Sequence, residues 1–225
     1  MKGRVIGALW IIGALLLCFF GFDGQLFNAF FIFCFTMSAA EILIISQAQP
    51  WRMEPLACQP YGVWAWQLLI LFFALFGCLV ISRQQLAFVV ILCSLTDVGA
   101  FAVGKIIGKH RVNFLSKISP NKTYEGFVGG ILASSIALLL CGWLGIAITP
   151  KILIFTIFGG VVAELGDIIG SATKRQLGIK DSGDGLRSLP VLGWLEFPLR
   201  GHGGYLDRMD SISLGVVFFA IIMAP

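Results

Sequence analysis

The sequence predicts an all-α polytopic membrane protein with about seven transmembrane helices, a cytoplasmic N-terminus and a polar cavity open to the cytoplasm. Three observations carry that prediction. Of the 225 residues, 58% are hydrophobic and 12% charged, against roughly 25% charged in an ordinary soluble domain. Apolar runs recur from end to end, with a mean hydropathy of +0.92. They are near-continuous rather than alternating, which favours helices over a barrel where backbone groups must be satisfied inside hydrocarbon. Positive charge is also one-sided. With the N-terminus in the cytoplasm, only Arg83 and Lys151 of the 16 Lys and Arg fall outside, the asymmetry that sets orientation.

The spans fall at about 4–21, 26–46, 63–82, 86–104, 123–148, 152–171 and 208–225. The first, behind Lys2 and Arg4, lacks a small-x-small cleavage site and runs at once into another apolar stretch, so it reads as a retained span. The last reaches membrane length only if its helix begins near Asp207. No tandem repeat or low-complexity segment interrupts the chain, which reads as a single domain over 1–225. The six cysteines (Cys18, Cys34, Cys58, Cys78, Cys93, Cys141) show no metal-type spacing and read as small apolar core residues. The net charge of +4, clustered in the cytoplasmic loops, points to phosphates or anionic headgroups. No nucleic-acid module is recognisable.

Polar residues gather at the cytoplasmic mouth. In "AELGDIIGSATKRQLGIKD", Glu164, Asp167, Ser171 and Lys174 are spaced i, i+3, i+7, i+10 and lie along one helical stripe, so they should face the same neighbour. Ionisable groups at membrane depth line a functional cavity or pair with each other. "SLTDVGAFAVGKIIGKH" puts Asp97 inside a span, either functional or bonded to a hydroxyl such as Thr96. Gly104 and Gly108 on that segment leave room for a helix or a ligand. "SPNKTYEG" predicts a helix start with Ser119 as N-cap, Pro120 at N1 and Lys122 in the first turn. The same stretch also fits an anion site.

"GHGGYLDRMDS", from Gly201 to Ser211, sits at the entrance of the last span. Asp207 and Asp210 share a face at i, i+3, and acidic groups suit a helix N-terminus. Gly203 and Gly204 let backbone amides approach a phosphate, and Arg208 offers a planar fork for its oxygens. His202 fits a phosphate contact, an acid or a structural hydrogen bond. Together these residues suit phosphoryl or nucleotidyl transfer. Oxygen ligands from Asp167 and Asp207, with Asp210 a third, suit Mg²⁺. Lys174, Arg175, Lys180 and Arg208 would neutralise the transferring group. There is no Walker loop or kinase glycine loop.

"SATKRQLGIKDSG" followed by "GHGGYLDRMDS" resembles the signature of the phosphatidate cytidylyltransferase (CDP-diacylglycerol synthase) family, S-x-x-K-R-x-x-x-x-K-D, a short spacer, then H-G-G-x-x-D-R-x-D. "TDVGAFAVGKIIGKH", "SPNKTYEG" and Gly166–Asp167 are similar to that family too, in its order. The resemblance covers roughly Ser94 to Ser211, so 1–93 would be N-terminal helices, 94–211 the catalytic region and 212–225 the end of the last helix.

It implies that CTP and phosphatidic acid become CDP-diacylglycerol and pyrophosphate with Mg²⁺, at the cytoplasmic face of the cell membrane. Asp167, Asp207 and Asp210 would be the metal ligands. Lys174, Arg175, Lys180, Asp181 and Arg208 would complete the catalytic set. Ser171, Asp97, Asn121, Lys122, His202, Gly203 and Gly204 would bind substrate. The resemblance leaves room for a second cation and for a homodimer.

The sequence departs from the family in three places. "DGLRSLPVLGWLEFPLR" lengthens the spacer, with Arg200 where a proline is expected, and Gly170 stands where many members carry an acidic residue. The N-terminal region is also shorter than usual. The long spacer keeps open a transferase that uses another lipid phosphate. A cation-coupled transporter is less favoured, because it would spread carboxylates through paired, broken helices.

Overall fold

The computed structural model describes residues 19–20, 25–48, 62–180, 182 and 204–224. Among these the regular structure is helical: α1 (Gln25–Ala48), α2 (Val63–Val80), α3 (Arg83–Ile107), α4 (Tyr124–Ser134), α5 (Cys141–Leu144), α6 (Pro150–Gln176) and α7 (Leu206–Met223). Tighter 3₁₀ turns occupy Asn113–Leu115 and Ser135–Leu140, and one isolated β-bridge joins Arg111 to Thr123.

Among the described residues five helices are long and apolar enough to cross a membrane: Leu26–Gln47, Val63–Val80, Arg83–Ile107, Tyr124–Leu144 and Pro150–Gln176. They make this a multi-pass membrane protein, and they coincide with the second to sixth expected spans. The first expected span lies outside the described residues apart from Phe19 and Phe20. The seventh forms α7, whose 18 residues carry Asp207, Arg208 and Asp210 in its opening turns.

The chain divides into two compact units, Met1–Leu79 with Ala172–Met209, and Val80–Ser171 with Asp210–Pro225. In the first, Phe27, Phe31 and Phe35 are buried along α1. Asn28 Nδ2 donates to the Cys78 carbonyl at 2.8 Å, joining α1 to α2. The first amides of α2, at Val63 and Trp64, donate to Gln176 Oε1 at 3.1 and 3.2 Å. A side-chain acceptor thus satisfies donors that no helix can satisfy for itself. Just beyond the end of α6 stands Gly178, whose φ of 69° admits a left-handed closure, with Ile179 N donating to the Lys174 carbonyl at 3.0 Å.

In the second unit, Phe88, Phe155 and Phe219 form a buried aromatic cluster, with Phe155 and Phe219 edge-to-face at 4.8 Å. α3 begins with a capping box, in which Ser82 and Gln85 satisfy each other's backbone amides. It packs closely on α4 because both faces are small. A Cβ on Gly104 would lie 3.1 Å from Thr123 Oγ1, and one on Gly126 would lie 2.8 Å from the Ala100 carbonyl. Gly104 therefore makes room for a helix, while Gly108, the C-cap of α3, lies against the Thr123 side chain.

The start of α4 differs from the prediction at Ser119. The N-cap is Thr123, whose side chain accepts from Gly126 N at 3.1 Å. Residues 108–123 fold back on themselves: Val112 N donates to Lys122 O at 3.1 Å, and Tyr124 N to His110 O at 3.0 Å. That pairing holds Thr123 extended, so the helix cannot begin before Tyr124, and Ser119–Lys122 is a turn instead.

Candidate functional site

In the second unit the 108–123 fold-back delivers Lys122 to α6. Its Nζ donates to Glu164 Oε2 and, at 2.8 Å, to Asp167 Oδ2. Burial works against the ammonium charge, but Asp167 and Glu164 outweigh it and hold Lys122 above its ordinary range. Glu164 is 2% exposed, and its Oε1 is buried without a partner. Asp167 keeps 35% of its side chain exposed. Ser211 Oγ donates to Asp97 Oδ2 at 3.4 Å, while Thr96 Oγ1 donates within its own helix to Leu92. The partner of Asp97 is therefore Ser211 and not Thr96. Asp210 is buried and accepts Ser211 N at 2.8 Å. It fills the space beside Gly170, where a Cβ would meet the Asp210 carboxylate at 2.8 Å. Gly170 thus has no room for the acidic residue that many family members carry.

In the first unit Lys174 Nζ donates to Asp207 Oδ1 at 2.6 Å. Asp207 Oδ2 accepts Ser182 N and Gly204 N, each at 2.9 Å, and Ser182 Oγ at 3.0 Å. Burial disfavours the Asp207 charge. Lys174 and the amides of Gly204 and Ser182 overcome it, keeping this carboxyl below its ordinary range. Arg175 Nη1 donates to the Ile179 carbonyl at 3.2 Å, and Lys180 is exposed.

The predicted stripe on α6 does not face one neighbour. Glu164 and Asp167 turn to Lys122, while Lys174 turns to Asp207, because each buried charge takes the opposite charge within reach. Ser171 is half-buried on α6, Arg208 half-buried on α7, and Asn121 exposed in the turn before α4. Asp181, His202, Gly203 and the inserted segment 184–200 lie outside the described residues.

Among the described residues no group of three or more His, Cys, Asp or Glu is arranged to hold a metal ion. The donor chemistry nonetheless fits magnesium, which takes one or two carboxylates and completes its shell with water and substrate phosphate. Asp167 is reachable, and the orphaned Glu164 Oε1 is a further hard oxygen.

Sequence reasoning missed Glu41 and Ser182 as site residues. Glu41 of α1 is 0% exposed. It accepts Tyr205 N on Oε1 at 2.8 Å and Leu206 N on Oε2 at 2.9 Å. The available signal was a lone carboxylate in an otherwise apolar span. Ser182 was visible as the serine of "KDSG".

A model of the cytidylyltransferase family matches residues 82–224. The phosphatidate cytidylyltransferase of Staphylococcus saprophyticus is 39% identical over 138 residues, covering 57% of this chain and 45% of that protein. The one from Staphylococcus aureus is 39% identical with the same coverage. That of Staphylococcus epidermidis is 37% identical over 149 residues, covering 62% and 49%. The chain thus spans about half the length of the curated relatives it matches. No solved structure matches.

Proposed function

We propose that this chain, which belongs to the cytidylyltransferase family, joins CTP to phosphatidic acid and releases CDP-diacylglycerol and pyrophosphate. The observation that carries the reading is its likeness to the staphylococcal phosphatidate cytidylyltransferases. The paired carboxylates and ammoniums of the two units support it.

A phosphate oxygen of phosphatidic acid attacks the α-phosphorus of CTP, the bond from that phosphorus to the bridging oxygen breaks, and pyrophosphate departs. Phosphate oxygens are largely ionised near neutral pH, with a second pKa of about 6, so little general-base help is needed. The barrier is repulsion between anions. Lys174, Arg175, Lys180 and Arg208 lower it by placing positive charge beside the phosphates, and Asp181 helps hold that basic cluster together. Ser171, Asp97, Asn121, Lys122, His202, Gly203 and Gly204 contact substrate. Magnesium, assigned to Asp167, Asp207 and Asp210, would supply further charge neutralisation.

Positive-charge asymmetry supports a cytoplasmic N-terminus, seven spans in the cell membrane and a polar cavity facing the cytoplasm. The homodimer and the second cation rest on the family resemblance. The inserted segment 184–200 favours a second reading, in which another lipid phosphate is the acceptor.

The test is pyrophosphate release by the purified chain in detergent with phosphatidic acid, Mg²⁺ and each of CTP, dCTP, ATP, GTP and UTP. Release with CTP or dCTP alone, dependent on lipid and metal, is expected. Release without lipid, or with ATP, would overturn the reaction. Silence with phosphatidic acid but turnover with another lipid phosphate would transfer the reading to that acceptor.

A further inference from the structure

We infer that Glu41 is a positioning residue for the proposed reaction: from α1, it clasps the turn that opens α7 and thereby sets Asp207 against Lys174. The inference rests on the proposed cytidylyltransferase reading. Glu41 lies outside residues 82–224, which match the family model, and no motif in the sequence points to its partner.

Three successive amides, at Gly204, Tyr205 and Leu206, open the last helix. Gly204 N donates to Asp207 Oδ2 at 2.9 Å. The other two donate to the two oxygens of Glu41, at 2.8 and 2.9 Å. A helix N-terminus leaves its first amides without intrahelical partners, and the usual remedy is a short polar side chain from the adjacent residue. Here the acceptor comes from 164 residues earlier in the chain. The Phe33 ring meets the Tyr205 ring edge-on at 5.9 Å, so α1 grips the same residue twice.

Burying a carboxylate is costly unless hydrogen bonds and favourable charge offset the loss of water. Two amides and the positive end of a helix face the Glu41 carboxyl group here. The arrangement gains direction: both oxygens are committed, so the turn cannot rotate without breaking two bonds. Asp207 follows Leu206 directly and meets Lys174 at 2.6 Å. Any swing of Leu206 would move the Asp207 carboxylate out of that contact.

The experiment compares Glu41→Gln, Glu41→Ala and Glu41→Asp with wild type in the full chain in detergent, by amide hydrogen exchange and steady-state kinetics. In the Gln variant one amide loses its acceptor. Exchange in a peptide spanning 204–209 should accelerate at least tenfold, while exchange over 213–220 stays unchanged. Its kcat should fall at least tenfold, with KM for phosphatidic acid changing less than twofold and the Mg²⁺ concentration for half-maximal rate rising. Glu41→Asp, which keeps both oxygens on a shorter stem, should recover part of the kcat that Glu41→Ala loses. A merely structural role would lower Tm and active fraction without moving the Mg²⁺ requirement. Should Glu41→Ala fail to fold, the Gln and Asp variants carry the comparison.

Wild-type exchange over 204–209 in Glu41→Gln would overturn the clasp. Faster exchange with unchanged kcat and Mg²⁺ requirement would overturn the positioning role. If wild type itself released no pyrophosphate with any lipid phosphate, the functional reading would fall and the catalytic part of the inference with it. The exchange data would still decide the clasp.

Discussion

Four donors converge on the Asp207 carboxylate: the Lys174 ammonium, the amides of Ser182 and Gly204, and the Ser182 hydroxyl. The carboxylate therefore orders its own surroundings as well as carrying charge for the proposed chemistry. Asp207→Asn removes the carboxylate charge that Lys174 meets at 2.6 Å, and breaking a buried pair from one side costs about 3–5 kcal/mol. We expect turnover to fall at least a hundredfold and Tm to fall measurably in detergent. Near-normal activity would remove Asp207 from the site.

The pH dependence has a definite sign. The Asp207 carboxyl is held below its ordinary value, about 3.9 in an unfolded chain. Its contribution to stability is complete above that value and is lost as the pH falls through the lower folded value. A thermal-melt series from pH 6 to pH 3 should show wild type losing Tm on acidification below pH about 4. Asp207→Asn should start lower and lose less. Parallel curves would contradict the assignment.

At the level of elements, α3 and α4 approach closely because glycines lie where a side chain would collide. Gly130 also vacates the space that Glu164 occupies: a Cβ there would lie 2.9 Å from Glu164 Oε1 and 2.9 Å from the Thr96 carbonyl. A carboxylate at the end of a side chain can move aside, but a helix carbonyl cannot do so cheaply. Gly130→Ala should therefore destabilise by about 1–3 kcal/mol, as overpacking typically does, and loosen the Lys122–Glu164 contact. Differential scanning of the detergent-solubilised variant measures this, and an unchanged or raised Tm would show that α3 and α4 separate freely. The cap of α4 teaches a related lesson. Ser119 and Pro120 are good helix-start residues, yet Thr123 caps the helix. Backbone pairing of Val112 and Tyr124 with the fold-back overrides local preference.

For the molecule as a whole, orientation is the property most directly open to test. Single cysteines placed at Lys117 and at Gln84, in a background lacking the native cysteines, should label from opposite sides of sealed vesicles. Lys117 should react from the cytoplasmic side. Labelling of Lys117 from the outside and Gln84 from the cytoplasmic side would reverse the proposed topology, and labelling of both from one side would break it. The four described native cysteines, Cys34, Cys78, Cys93 and Cys141, are all buried, in keeping with their reading as core residues.

The sequence by itself determined the helical class, the positions of five spans and the family, because hydropathy is additive along the chain and a signature motif is local. The ammonium partners and the clasp were decided only by tertiary structure. Lys122 reaches Glu164 across 42 residues, Lys174 reaches Asp207 across 33, and Glu41 reaches Tyr205 across 164. Helical spacing put Glu164, Asp167 and Lys174 on one stripe and predicted one shared neighbour, whereas Glu164 and Asp167 turn to Lys122 and Lys174 turns to Asp207. A buried charge takes its partner from whichever element the fold brings near, and that choice has no period along the chain.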